Sequence, residues 1–370
     1  MDRGVVTAPE PAAPPAARRV KCVVWDLDDT LWAGVQAEGA PPEPRPEVLA
    51  VIDALAARGI VHSVASRNDP ATGERLLAQP ALARRFVAPQ IGWEPKDKAL
   101  RAVAAALNLG LDSLAFVDDS PFERAAVAAL LPDVLVLAPA DVPGLPARPE
   151  FQAGPATTES ARRTALYQEE AARRAAEAAF AGSRLAFLNS CVMRLTIRPA
   201  AEADLPRLEE LVQRTNQLNS TGVRYGPADL AARLADAGRF RCPVARLTDR
   251  FGDYGLIGAA LVDRPGDPAG GWLVELLMLS CRVEGRGIPA ALLRRLLDEA
   301  RAAGQPALSA LYRPTAQNRQ MAVLLRSLGF RAAGPAPSGD PLTAGATVFR
   351  RALAGPLPLY PEWLTVEVPE

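Results

Sequence analysis

The sequence predicts an α/β protein made of two successive domains, and three observations carry that prediction. Residues 20–137 alternate short β-branched runs with helix-forming stretches, the pattern of a parallel sheet joined by crossover helices. Residues 138–156 lose all periodicity in a Pro/Ala/Gly-rich stretch. From residue 192 a second alternation of strand and helix patterns begins and runs to about residue 352. A chain of 370 residues accommodates two such domains at ~100–200 residues each.

In the first domain, residues 20–137, strands are expected at 21–27, 59–65, 85–89, 114–117 and 134–137. Helices are expected between them, at 45–57, 71–77, 96–107 and 121–131. Residues 1–19 are Ala/Pro-rich and lack an apolar h-region, so they read as a disordered leader and not as a signal peptide. Residues 138–191 read as a linker followed by a connecting helix over about 158–188, rich in Ala, Glu and Arg and opened by Thr157-Thr158-Glu159-Ser160. In the second domain, residues 192–352, strands are expected at 194–198, 243–248, 255–262, 272–279, 307–312 and 346–350. Helices are expected from about 203 and over 288–303, and residues 353–370 read as a Pro-rich tail.

Charge and composition exclude several classes of function. Lys plus Arg and Asp plus Glu both number 42, so no net field holds a polyanion or draws the chain to an anionic membrane. Neither nucleic acid nor a membrane is expected as a partner, and no apolar run approaches the ~18 residues of a membrane-spanning helix. His62 is the only histidine, which leaves little room for histidine triads or His-rich zinc sites. Its place in an apolar run reads as core packing. Cys22, Cys191, Cys242 and Cys281 form no C-x-x-C pair, which fits a reducing cytoplasm. Lysine occurs only at positions 21, 96 and 98 against a background of arginine, so a lysine at 96 suggests a need for a compact point charge there.

The first chemical constellation is Trp25-Asp26-Leu27-Asp28-Asp29-Thr30, directly after an apolar strand. Carboxylates at the end of a parallel strand project into the crevice where such sheets bind ligands. An isolated D-x-D also reads as a helix-capping turn; the motifs that follow in order favour a site. The next strand ends at Ser66-Arg67-Asn68, placing a hydroxyl and a guanidinium for a phosphate. Lys96 stands at a helix start, and the fourth strand ends in Asp118-Asp119-Ser120-Pro121. Carboxylates at that density imply a hard cation such as Mg²⁺ held together with substrate phosphate.

This ordered set resembles the haloacid dehalogenase (HAD) superfamily of phosphotransferases. The resemblance implies a Rossmann-like sheet in which Asp26 attacks phosphorus and Asp28 acts as general acid and base. Ser66, Arg67 and Lys96 would hold the phosphoryl group, and Asp26, Asp28, Asp118 and Asp119 would form the metal site, with Asp119 favoured over Asp118 as the direct ligand. Cap domains of that superfamily are inserted in gaps that here span only 33–45 and 67–95, too short to hold one. The site is expected to be uncapped.

The second constellation is Ser280-Cys281-Arg282-Val283-Glu284-Gly285-Arg286-Gly287, between a strand and an amphipathic helix. Arg282, Gly285, Arg286 and Gly287 offer an R-x-x-G-x-G loop to a phosphate of a pantetheine-bearing group, although the same pattern also reads as an ordinary strand-to-helix turn. Followed by Asn318 to Phe330, it resembles the acyl-CoA N-acyltransferase (GNAT) fold. Cys281, at the strand end and at a helix N-terminus beside Arg282 and Arg286, reads as a thiolate nucleophile, against the ordinary expectation of an inert buried cysteine.

Together, Lys21 to Asp28, Arg214-Thr215-Asn216-Gln217-Leu218-Asn219, Asp249 to Gly255 and Ser280 to Val283 resemble the FkbH-like family over nearly the whole of residues 20–350. Many members carry Asn where Asp29 stands, and Leu218 and Ser220 depart from the family's polar segment. The resemblance implies a bifunctional enzyme of polyketide biosynthesis that takes 1,3-bisphosphoglycerate, forms a phosphoglyceryl thioester on Cys281, removes the remaining phosphate and passes glyceryl to the phosphopantetheine arm of an acyl carrier protein. Asn216, Gln217, Asn219 and Asp253 are candidates to orient the glyceryl hydroxyls, and read equally as surface turns. The alternative is a Mg²⁺-dependent phosphatase fused to an acetyl-CoA-dependent acyltransferase acting on a sugar or amine.

Overall fold

The computed structural model describes residues 19–34, 42–152, 157–265, 271–336 and 343–369. The expected leader, apart from Arg19, lies outside the described residues. The chain divides into two compact units near Gln152.

The first unit is a five-stranded parallel sheet, β1 (Cys22–Trp25), β2 (Val61–Ser66), β3 (Gln90–Ile91), β4 (Leu114–Val117) and β5 (Leu135–Leu137), in the order β3-β2-β1-β4-β5. Its helices are α1 (Pro46–Ala57), α2 (Pro70–Leu77), α3 (Lys96–Leu107) and α4 (Pro121–Leu130). All of β1 is buried, as a central parallel strand must be when helices flank the sheet. Helix α1 buries Val48, Val51, Ile52 and Leu55, the i, i+3, i+4, i+7 stripe of an amphipathic helix. Ser120 caps α4 by accepting from the Glu123 amide at 3.4 Å, with Pro121 at the first helical position. The chain moves outward from β1 in one direction through β2 and β3 and in the other through β4 and β5. The carboxyl ends of β1 and β4 therefore meet at the point where strand order reverses, with Trp25 opposite Val117.

One strand differs from expectation. Residues 81–85 are turns and the strand lies at Gln90–Ile91 instead of 85–89. The apolar signal comes from Phe86 and Val87, which are buried without belonging to a strand of the sheet.

The second unit opens with helices α5 (Thr158–Ala161), α6 (Arg163–Ala178) and α7 (Arg184–Ser190) in place of the single expected helix. The break after α6 falls at Gly182, and Ser183 then caps α7 by accepting from the Ala186 amide at 3.2 Å. Its sheet comprises β6 (Met193–Pro199), β7 (Phe240–Arg241), β8 (Pro243–Asp249), β9 (Gly252–Asp263), β10 (Trp272–Leu279), β11 (Ala307–Tyr312), β12 (Arg331–Pro335), β13 (Thr347–Ala352) and β14 (Leu364–Glu367). The order is β12-β13-β11-β10-β9-β8-β6-β14, with β7 beside β9. Helices α8 (Leu205–Arg214), α9 (Pro227–Ala235), α10 (Ile288–Ala302) and α11 (Arg319–Ser327) complete it. Helix α10 buries eight residues, among them Ile288, Leu292 and Leu296, in the core of the sheet. The expected Pro-rich tail contains β14, which pairs in parallel with β6 from Leu364 opposite Met193 to Glu367 opposite Thr196.

Strands β10 and β11 are joined in parallel only where Trp272 to Val274 face Leu308 to Ala310. Beyond that point they diverge and leave a fork. Among the described residues no helix is long and apolar enough to cross a membrane.

Candidate functional site

In the first unit the two carboxylate motifs converge. The Asp26 amide donates to the Val117 carbonyl at 2.9 Å, locking the end of β1 to the end of β4. Asp26, Asp118 and Asp119 each place a carboxylate oxygen within 4.8 Å of the others. Lys96, the first residue of α3 and only 4 % exposed, pairs with Asp26, with Asp118 at 3.1 Å and with the Ala65 carbonyl at 2.6 Å. Burial pushes the Asp26 carboxyl up to about 6, against the pull of Lys96 and with a further push from Asp118. Burial and then the neighbouring Asp118 also raise Asp119.

The loops around this cluster are fixed by residues with clear local reasons. Asp29 sits at φ 51°, a left-handed conformation that Asp and Asn tolerate better than most side chains, and its Oδ1 accepts from the Gly34 amide at 2.7 Å. Thr30 is buried and its Oγ1 accepts from the Asp119 amide at 3.1 Å, so the D-x-D-x-T threonine ties the first motif to the second. Asp118 Oδ1 accepts from the Ser120 amide at 2.8 Å, while Asp119 is exposed. Arg124, which the sequence did not single out, donates to the carbonyls of Asp118 and Asp119 at 2.7 and 2.6 Å.

The other candidates of the first unit are placed as follows. The Asp28 carboxylate accepts from the Trp32 indole at 2.8 Å and lies outside the group formed by Asp26, Asp118 and Asp119. Ser66, buried at the end of β2, lines a cavity of about 250 Å³ with Gly92 and Lys96. Arg67 pairs with Glu123 at 2.9 Å and is half exposed. Between Ser66 and Lys96 the chain forms only α2, turns and β3, with no inserted domain. His62 is fully buried in β2, and its Nδ1 accepts from the Trp25 indole at 3.0 Å. Burial pushes it down to about 4, against the opposing pull of the Ile52 backbone and Asp53.

The donor set suits a hard divalent cation: hard oxygen ligands, grouped at the end of a strand, with the buried Asp118 Oδ2 facing the Lys96 ammonium at 3.1 Å. Asp26, Asp118 and Asp119 would hold it.

In the second unit, Cys281 is half-buried, whereas Cys22, Cys191 and Cys242 are buried. Two expectations for its loop are corrected. Cys281 opens a short 3₁₀ turn (Cys281–Val283), and α10 begins only at Ile288, so the thiol does not sit at that helix's N-terminus. Arg286 is buried and donates to both carboxylate oxygens of Glu170 at 3.0 and 2.9 Å, so its charge is already matched. The loop itself is covered. Gly287, at φ 81°, lies where a Cβ would meet Pro361 Cγ at 2.7 Å, and the Trp363 indole donates to the Arg286 carbonyl at 2.9 Å. The Arg184 guanidinium reaches the Gly285 carbonyl at 3.4 Å. Arg282 donates to Ser280 Oγ at 3.3 Å and to the Tyr254 carbonyl at 3.4 Å.

The fork between β10 and β11 is filled by the chain's own residues 218–221. The Leu279 amide donates to the Leu218 carbonyl at 2.8 Å, and the Ser220 amide donates to the Leu277 carbonyl at 2.9 Å. Ser220 Oγ accepts from the Leu277 amide at 3.0 Å, and on the other side the Arg313 amide donates to the Ser220 carbonyl at 3.0 Å. Asn219, fully buried, accepts from the amides of Thr221 and Gly222 at 3.1 and 2.7 Å, which makes its carboxamide oxygen a turn acceptor. Asp253 pairs with Arg246 and accepts from the Gly255 amide at 2.8 Å; Asn216 accepts from Arg224. Gln217 is partly buried nearby in sequence. The conspicuous polar centre of the unit is one the sequence did not single out as a site: Arg173, 2 % exposed, pairs with Asp249 at 2.8 Å and stacks over Tyr254 at 3.9 Å, whose hydroxyl donates to Asp249 at 2.8 Å.

No protein-family model matches the sequence, and no curated protein matches it. Among solved structures, the chain is similar to the N-terminal part of the protein BF1531 from Bacteroides fragilis, which contains a phosphatase domain and was crystallised with Mg, at 28 % identity over 34 % of this chain and a TM-score of 0.30. The chain spans about two fifths of that structure, 39 %. It is also similar to the ribosomal-protein-S18-alanine N-acetyltransferase from Escherichia coli, at 21 % identity over 44 % of this chain and 96 % of that one, with a TM-score of 0.34. An acetyltransferase from Thermus thermophilus shares 18 % identity over 44 % of this chain and 99 % of its own, with a TM-score of 0.33.

Proposed function

We propose that the protein is a bifunctional phosphatase and glyceryltransferase. The observation that carries the phosphatase half is the group formed by Asp26, Asp118 and Asp119 around Lys96 at the carboxyl end of a parallel sheet. A bound Mg²⁺ would neutralise phosphoryl oxygens there and lower the charge repulsion among the carboxylates. Lys96 holds Asp26 in place, and Asp26 attacks phosphorus as the bond to the leaving oxygen breaks. Asp28, steadied by Trp32, gives that oxygen its proton and then takes one from the water that hydrolyses the aspartyl phosphate. Ser66 and Lys96 flank the cavity in which the phosphoryl group would lie.

In the transferase half, the Cys281 thiolate attacks the acyl carbon of 1,3-bisphosphoglycerate. The bond from that carbon to the phosphate oxygen breaks, and phosphate leaves with the electron pair. After Asp26 and Asp28 remove the remaining phosphate, the phosphopantetheine thiolate of an acyl carrier protein attacks the thioester and displaces Cys281. The partial exposure of Cys281 alone among the four thiols supports this reading.

The test is intact mass after incubation with 1,3-bisphosphoglycerate and Mg²⁺. The wild type should carry a glyceryl adduct that Cys281→Ala lacks. An adduct that survives Cys281→Ala, or none on the wild type, would remove the transferase reading.

A further inference from the structure

The cavity of about 250 Å³ beside Ser66 and Lys96 is larger than a phosphoryl group needs. At ~30 Å³ for each water-sized volume it has room for about eight, of which a phosphoryl group takes roughly two. Gly92, Ala99 and Ala102 line it together with Ile91. Ala99 and Ala102 follow Lys96 at three-residue steps, so all three lie on one face of α3. Gly92 continues β3, and its amide donates to the Ser66 carbonyl at 3.1 Å. It has neither a left-handed φ nor a close neighbour that would require glycine, for a Cβ there would meet nothing within 4 Å. Gly73 differs: a Cβ there would meet Ile91 Cδ1 at 2.6 Å, so the close approach of α2 holds the Ile91 wall in place. Glycine at position 92 therefore serves neither a turn nor a packing contact; it keeps space open.

Ser66 points to a ligand independently. It lines the cavity and is only 5 % exposed, yet among the described residues nothing hydrogen-bonds its hydroxyl. Buried hydroxyls in folded proteins are nearly always paired. The Lys96 ammonium, by contrast, is committed to Asp26, Asp118 and the Ala65 carbonyl. Glu94 and Lys98 also line the cavity, but both are exposed and pair with each other at 2.9 Å, so their charges answer one another.

We propose that this cavity is a subsite for the organic part of the substrate, a short unbranched chain of about three to five carbons carried by the phosphoryl group, and that Gly92 sets the length admitted. Its use rests on the reading of the first unit as a phosphatase, and it narrows the substrate to a small aliphatic phosphate ester, a class that includes three-carbon glyceryl phosphates. The Ser66 hydroxyl meets the phosphoryl end. The chain lies against Ile91, Ala99 and Ala102, where each methylene taken out of water strengthens binding about fourfold. A side chain at position 92 would occupy the same space.

The experiment is calorimetric titration of the full chain, in Mg²⁺, with ethyl-, propyl- and butylphosphonate, which keep the charged head but cannot be hydrolysed, alongside phosphate release from the matching alkyl phosphates. In the wild type, affinity should rise about fourfold with each methylene; Gly92→Leu and Ala102→Leu, which fill the cavity from the strand side and the helix side, should each bind butylphosphonate about tenfold more weakly. Equal affinity for the three phosphonates in the wild type, or a dependence on chain length unchanged in both variants, would overturn the proposal. Should Gly92→Leu fail to fold, Ala102→Leu carries the comparison, since leucine suits a helix. Phosphonate binding that grows with chain length, without phosphate release from any ester, would retire the phosphatase reading and leave the subsite standing; phosphate release indifferent to chain length and to both substitutions would do the reverse.

Discussion

Lys96 is the residue on which the first site turns, since one buried ammonium answers both Asp26 and Asp118. Removing it as Lys96→Met leaves two carboxylates buried without their cation, a change of the class that costs about 3–5 kcal/mol. Urea unfolding should show that loss together with abolished phosphatase activity. Asp26→Asn is different, because Lys96 keeps Asp118, so this variant should fold while losing phosphate release. His62 makes a pH prediction with a defined sign. Its folded value of about 4 lies below the unfolded value of 6.5, so the unfolded chain binds the extra proton between them. The contribution is present above pH 6.5 and is lost as pH falls toward about 4, on the order of 3 kcal/mol in all. As the chain has one histidine, its imidazole proton resonances form a single set that should not titrate above about pH 5; a midpoint near 6.5 would contradict the buried, indole-bonded ring.

At the level of elements, local chemistry decided what was legible. The D-x-D strand, the helix at Lys96 and the strand before Asp118 could be read because apolar runs end abruptly at charged motifs. Strand β14 could not, since four residues among prolines carry no period and gain their order from β6. The expected strand at 85–89 failed because burial of Phe86 and Val87 mimics a strand pattern. The matching of Arg286 by Glu170 joins residues 116 apart, and the filling of the fork by residues 218–221 depends on where β10 and β11 diverge; neither leaves a trace in spacing. The fork makes its own prediction. Ser220→Ala would strip the Leu277 amide of its acceptor and should lower stability by about 1–3 kcal/mol in urea unfolding, whereas Ser220→Thr, which keeps the hydroxyl, should lose less.

For the molecule as a whole, the two proposed chemistries fall in separate units and should be separable. Chelation of Mg²⁺ should stop phosphate removal at the Asp26 group while Cys281, which needs no metal, still takes up the acyl group. The electroneutral total of 42 basic and 42 acidic residues conceals this division, with carboxylates crowded in the first unit's site and Arg282 next in sequence to Cys281. The most direct measurement is the intact mass of Asp26→Asn after incubation with 1,3-bisphosphoglycerate and Mg²⁺, compared with the wild type. A thioester on Cys281 that keeps its phosphoryl group in the variant and has lost it in the wild type is the expected result; a dephosphorylated adduct on Asp26→Asn would contradict the account.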